Sequence, residues 1–250
     1  MSDLRAELGP ARARSRGADA GSVTRTTRIA IRTFDIVGGA LIALAVTPIL
    51  IALAVASAIS LRAWPFFVQE RPGRAGRSIR LVKIRTLPPS TPHYAHKHHL
   101  DFTRTPRLMQ VLRRLHLDEL PQLWQVPMGA LSLVGPRPRQ CDDVDALDAT
   151  FDSVRREVRP GCTGLWQISP AATEGLGESP EYDLFWVGNR TLRLTLWALA
   201  RTMLVMTGIG RPVTLEDIPD WALPGLRYVD IADVPMTASI DQLEAPAPAA

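Results

Sequence analysis

Two adjacent carboxylates, Asp118 and Glu119, stand between the paired arginines Arg113 and Arg114 and a Gly-Pro-Arg-Pro-Arg turn that carries Arg137 and Arg139. Such a pair can do one of two things. Asp118 suits the N-cap of a helix that has Pro121 in its first turn, and on spacing alone this structural role is the simpler one. Alternatively, a helix start attracts phosphate, and two carboxylates with a phosphate can hold Mg²⁺. The arginines would then bind phosphate oxygens in a fork, and nearby cations would lower the pKa of Asp118, keeping it ionised as a nucleophile.

Upstream, Lys83 and Arg85 alternate at the end of a strand-like segment, which places two cations on one face; a solvated strand face would look the same. Gln167, beside Trp166 and after Gly164, either borders a nucleotide pocket or packs. His93, His96, His98 and His99 lack a cysteine or carboxylate at ligand spacing, so a loop is expected there rather than a metal site. Cys141 and Cys162 have no motif spacing and are read as reduced thiols. No Walker loop, dinucleotide fingerprint or Ser-His-Asp order occurs.

The elements that must position these residues follow from hydropathy and charge. In a chain of 250 residues, 46% hydrophobic, one domain with extensions is expected. Residues 1–32 carry seven arginines against Asp3, Glu7 and Asp19, a composition expected to be disordered over its first two dozen residues. A second basic cluster fills residues 62–85, whereas the segment after Arg211 is acidic. The basic half calls for an anionic partner, phospholipid, nucleotide or nucleic acid, although no nucleic-acid reading motif accompanies it.

Between the basic clusters, Ile36–Leu61 contains no charge and is long enough to span a bilayer. Both flanks are basic, however, and cationic flanks favour the cytoplasmic side. Pro48, after Thr47, removes one backbone hydrogen bond near the centre. Two topologies therefore stay open on the residues alone: a kinked spanning helix, and a re-entrant hairpin broken at Thr47-Pro48. Trp64-Pro65-Phe66-Phe67 suits the headgroup interface. Beyond it we expect a turn and short strand over 68–87, a helix over Arg107–His116, and another beginning at Asp118. A helix over 142–157 should follow, then one amphipathic helix in "LFWVGNRTLRLTLWALARTMLVM" that lies on a membrane or packs in a core.

Taken together, "FDIVGG", Thr47-Pro48, "FFVQERPGRAGR", "KIRT", "LDELPQL", "SLVGPRP" and "RPGCTGLWQIS" resemble, in order from Phe34 to about Thr202, the bacterial sugar transferase family of monotopic phosphoglycosyl transferases. The resemblance implies an α+β fold, mainly helical with short strands. Residues 1–32 would be a basic tail, 33–62 a re-entrant helix-break-helix, 63–207 the catalytic domain with interfacial helices, and 208–250 an acidic extension. It implies transfer of a sugar-1-phosphate from a UDP-sugar to polyprenyl phosphate at the cytoplasmic face of a bacterial inner membrane, with Mg²⁺ and release of UMP. Asp118 would be the nucleophile, Glu119 would help hold the metal, and Lys83, Arg85, Arg113, Arg137, Arg139 and Gln167 would bind substrate. A homodimer is left open. The chain departs from the family pattern at Ala130, where an acidic residue is usual, and over Asn189–Thr195, which lacks the usual Trp and Asp. A non-catalytic relative that binds nucleotide-sugar or scaffolds other enzymes is the alternative.

Overall fold

The computed structural model describes residues 23–91, 105–139, 149–173 and 179–223. The four loop histidines, Cys141, the first part of the expected 142–157 helix and the acidic residues beyond 223 lie outside them. The described residues are mostly helical with four short strands, the α+β class expected.

Helix α1, Arg25–Leu61, opens at Thr24, whose hydroxyl accepts the Thr27 N–H, and closes at Arg62 in the left-handed region. It starts before the boundary expected at residue 33. Its inner stripe of Ile31, Asp35, Gly39, Ala43, Leu50 and Ala54 is buried at roughly helical spacing. Gly39 is required there, since a Cβ would come 2.8 Å from Val126 Cγ1. The outer stripe, including Val37, Leu41, Leu44, Ile51 and Ile59, is apolar and exposed.

Two arms with a break at Thr47-Pro48 were expected; the structure instead carries one helix through Pro48. The proline removes one rung of the ladder. Beside it the Thr47 hydroxyl donates to the Ala43 carbonyl at 2.7 Å and accepts the Trp124 indole N–H at 3.1 Å. That turn is therefore braced by a side chain and by the body of the protein.

Strands β1, Phe66–Pro72, and β2, Ser78–Ile84, form an antiparallel hairpin that pairs Phe66 with Ile84 and Pro72 with Ser78. Helix α2, Arg107–Arg114, leads through a 3₁₀ turn, Leu117–Glu119, into the short helix α3, Gln122–Gln125. Strand β3, Ser132–Val134, runs parallel to β4, Gly161–Thr163, and helix α4, Ala149–Arg155, lies in the crossover. The two strands approach so closely that a Cβ on Gly135 would sit 2.6 Å from the Arg159 carbonyl.

The expected single amphipathic helix is two. Helix α5, Glu181–Asn189, ends before Thr191, whose hydroxyl accepts the Leu194 N–H and starts helix α6, Leu192–Met206. A side-chain cap between two apolar runs explains the division. The main core joins Val126, Leu131, Leu133, Leu165, Phe185 and Leu194, among others. Val213, Ile218 and Ala222 also enter it, so residues 208–223 belong to this body rather than to a separate extension. A smaller cluster of Phe151, Val154, Val158, Leu184 and Val187 binds α4 to α5.

Candidate active site

Asp118 and Glu119 sit in the tight turn between α2 and α3. His116, at φ 55°, reverses the chain just before them, and the N-cap position of the turn falls on His116 rather than on Asp118. The capping role allowed by spacing is thus not the one Asp118 fills. Its carboxylate is buried, 6% exposed, at the start of a segment that continues directly into α3.

Three cations surround the pair. Lys83, from β2, places Nζ 2.7 Å from Glu119 Oε1, and Arg137 brings Nη2 to 3.6 Å from the same oxygen. Arg113, on the last turn of α2, acts on Asp118 through its charge. The strand that bears Lys83 is locked to the carboxylate segment by Gln125. Its amide nitrogen donates to the Arg80 carbonyl at 2.6 Å, and its amide oxygen accepts the Val82 N–H at 3.1 Å. Gln125 thereby occupies the open edge of β2 as a further strand would.

The two carboxylates are driven apart electrostatically. Burial pushes Asp118 up to about 6, with the Glu119 charge adding to the rise and Lys83 and Arg113 opposing it. For Glu119 burial also works against ionisation, but Lys83 and Arg137 outweigh it and hold the carboxyl down at about 2. The cations were expected to hold Asp118 down; Lys83 and Arg113 do lower it, but burial outweighs them there, whereas Glu119, which forms the ion pairs, ends below its ordinary value. Unequal environments of this kind give paired carboxylates distinct roles.

The remaining candidates are dispersed. Arg85 lies just past β2, donates through Nε to the Trp64 carbonyl at 3.0 Å and stacks over Phe67, away from the ion pairs of Glu119. Arg139 is buried and lines a shallow open depression together with Arg137, Arg155 and Arg156. Gln167 stands behind the Gly135 turn, where a Cβ on Gly164 would meet its Oε1 at 2.6 Å, and both its amide atoms are buried without a partner. Gln122 Nε2, one helical position after the Asp118-Glu119-Leu120-Pro121 segment, is likewise buried and unpartnered. Cys162 is a free thiol whose Sγ donates to the Gln122 carbonyl, and burial raises its pKa further from reactivity.

Motif spacing did not single out four residues that build the site. Asp35 on α1 accepts from the Ser132 hydroxyl at 2.7 Å and from the Leu133 N–H at 2.9 Å, which anchors β3 at the root of the Arg137 turn. Gln125 fixes β2, as described. Arg155 and Asp183 form a buried ion pair at 2.7 Å. A lone charged residue within an apolar stripe, as Asp35 is, was the one available signal. The departures at Ala130 and Thr195 fall in scaffold: the Ala130 N–H donates to the Gln125 carbonyl, and Thr195, fully buried, bonds its own helix at the Thr191 carbonyl.

Residues 26–208 match the family described as bacterial sugar transferase. Over 186 residues the chain is 30% identical to a UDP-N-acetylgalactosamine-undecaprenyl-phosphate N-acetylgalactosaminephosphotransferase of Aeromonas hydrophila, covering 72% of this chain and 44% of that protein. It is 35% identical over 141 residues to a UDP-glucose:undecaprenyl-phosphate glucose-1-phosphate transferase of Caulobacter vibrioides, covering 55% of this chain and 52% of that one. The exopolysaccharide production protein ExoY of Sinorhizobium fredii shares 28% identity over 201 residues, 74% of this chain and 88% of its own length. The chain thus spans about half the length of the first two of these relatives. A match running from the first turn of α1 to the end of α6 takes in every element that carries the carboxylate pair and its cations: the chain belongs to the bacterial sugar transferase family.

Proposed function

We propose that the protein transfers a sugar-1-phosphate from a UDP-sugar to a polyprenyl phosphate, releasing UMP, through a covalent phosphosugar on Asp118. The observation that carries this is the unequal pair: a buried carboxylate at about 6 beside one held at about 2 by Lys83 and Arg137. With its pKa there, about nine in ten Asp118 side chains are ionised at pH 7, yet poorly solvated and hence nucleophilic.

In the first step an Asp118 oxygen attacks the sugar-bearing phosphorus. The bond from that phosphorus to the bridging oxygen breaks, and the electron pair leaves with UMP. In the second, a polyprenyl phosphate oxygen attacks the same phosphorus and the acyl-phosphate bond breaks, which restores the Asp118 carboxylate and yields a diphosphate-linked lipid sugar. Lys83 and Arg137, both half-buried, offset the charge of two anionic reactants, which would otherwise repel.

Magnesium fits this donor set. It takes one or two carboxylates with phosphate and water, and among the described residues no third histidine, cysteine or acidic side chain joins the pair in a metal-holding group. Asp118 and Glu119 would hold it, and it would supply charge neutralisation on the diphosphate.

The topology belongs to the same proposal. Arg32 donates to the Val126 and Pro127 carbonyls at 2.9 and 3.1 Å, and Ser57 donates to the Arg85 carbonyl at 2.6 Å. These anchors are some 25 helical residues apart, about 37 Å. One globular body therefore holds both ends of this long apolar helix, which supports a segment seated in one leaflet with both ends on the cytoplasmic side. Its exposed apolar stripe, with Met203, Leu204 and Met206 on α6, would sit in the leaflet.

Purified protein in lipid nanodiscs, screened with UDP-sugars and polyprenyl phosphate, should release UMP. Mass spectrometry without the lipid acceptor should find the phosphosugar on Asp118. A panel that yields neither UMP nor adduct would exclude the reaction.

A further inference from the structure

We propose that Arg155 and Asp183 are positioning residues that aim Arg137 at Glu119. Arg155, at the end of α4, is buried. Its Nε donates to Asp183 Oδ2 at 2.7 Å, and its Nη2 donates to the Arg137 backbone carbonyl, also at 2.7 Å. The guanidinium further stacks over the Phe151 ring, 5.4 Å from its centroid. Asp183, in the first turn of α5, is 2% exposed.

Stability alone is a poor reason for such a pair. Burying two charges costs desolvation that their attraction only partly offsets, and apolar residues of similar size often serve a core as well. The adjoining cluster of Phe151, Val154, Val158, Leu184 and Val187 already packs α4 on α5. What apolar residues cannot provide is the second fork of Arg155, which leaves the pair and reaches the turn.

That turn has little freedom left except at the bonded carbonyl. Proline on either side, Pro136 and Pro138, fixes its own φ, and a residue before proline is confined to extended backbone. The bond from Arg155 to the Arg137 carbonyl then fixes where this stiff turn sits, and with it the point from which the Arg137 side chain departs. At the other end of the side chain, Nη2 stands 3.6 Å from Glu119 Oε1. Residues separated by 18 and 28 positions in sequence thus form one path from α5, through α4, to the carboxylate pair.

The proposal rests on the phosphosugar transfer proposed above only for its kinetic arm. Arg155→Lys keeps the charge opposite Asp183 but lacks the fork, and Asp183→Asn loosens the guanidinium from the other side. In full-length protein in nanodiscs, Arg155→Lys should lower kcat/KM for the UDP-sugar about tenfold, the size of one lost charge-assisted hydrogen bond. Added to Arg137→Ala it should cost little more, because both act through the same side chain. Independently of activity, nitrogen-15 relaxation of the Arg137 side-chain Nε–H in labelled protein should show that side chain more mobile in Arg155→Lys than in wild type. Losses that multiply in the double variant, or an Arg137 side chain as ordered in Arg155→Lys as in wild type, overturn the proposal. Wild-type protein that turns over no UDP-sugar would refute the transfer reaction and leave the order of the Arg137 side chain to decide the clamp.

Discussion

Lys83 Nζ lies 2.7 Å from Glu119 Oε1, and this contact separates the fates of two neighbouring carboxylates. The ammonium, with Arg137, fixes Glu119 as an anion, while Asp118 faces inward and keeps the higher pKa. One carboxyl is held below its ordinary range and its neighbour above it.

The pH dependence follows directly. UMP release should lose kcat/KM as pH falls through about 6, when Asp118 takes up a proton and can no longer attack. Glu119, held at about 2, should contribute nothing in that range. Lys83 lowers the Asp118 pKa, so Lys83→Met should move the acid limb to higher pH. An acid limb that does not respond to Lys83 would assign it to another group.

Asp118→Asn should abolish turnover and adduct formation while the fold survives. Ionising Asp118 in its buried place, from an ordinary 3.8 to about 6, costs roughly 3 kcal/mol, and that penalty is fully present above pH 6. A neutral amide of the same shape escapes it, so the variant should melt no lower than wild type at pH 8. Residual UMP release above a few per cent would remove Asp118 from the nucleophile's role.

Glu119→Gln should act differently. It keeps the shape but weakens any hold on Mg²⁺, and it frees Lys83 and Arg137. Activity should fall by two orders of magnitude or so, in line with losing one electrostatic group from a catalytic site, and half-maximal Mg²⁺ should rise. An unchanged metal titration alongside lost activity would confine Glu119 to orienting the two cations.

The Thr47–Trp124 contact predicts a stability effect far from the chemistry. Thr47→Val removes a hydroxyl that both donates and accepts, and should cost about 1–2 kcal/mol, read as a lower Tm in nanodiscs. Thr47→Ser should retain most of it. If Thr47→Val melts like wild type, the indole is satisfied by another group.

Topology has its own measurement. Single cysteines placed at Arg28 and Arg74 should both be protected from a membrane-impermeant reagent added outside intact cells, and both should react after lysis. Pro48→Leu should favour crossing and expose the residue-28 site. Labelling of that site in the otherwise unaltered protein would show a spanning helix.

How much of this was legible beforehand depends on where each signal resides. Asp118, Glu119, Lys83 and Arg137 lie in short stretches with distinctive neighbours, and the structure brings all four together. Thr191 had the signature of a helix start, a hydroxyl before an apolar run, but charged residues on both sides at helical spacing concealed the division of α5 from α6. The cap assigned to Asp118 failed because His116 adopts a left-handed backbone, which local propensity does not favour for it. Arg155–Asp183 and Asp35–Ser132 join residues 28 and 97 positions apart, and no periodicity encodes a pairing of that kind.

The inner stripe of α1 has a practical consequence for handling this protein. Apolar, membrane-seeking helices are commonly deleted to obtain a soluble fragment. Here such a deletion would take Asp35 from the Leu133 N–H and the Ser132 hydroxyl, Arg32 from two carbonyls, and the Gly39 surface from Val126. The cut would pass through the interior of the fold rather than along its edge. The long apolar helix and the rest of the fold share one interior, and a preparation that keeps the fold has to carry the exposed apolar stripe along, in detergent or in bilayer.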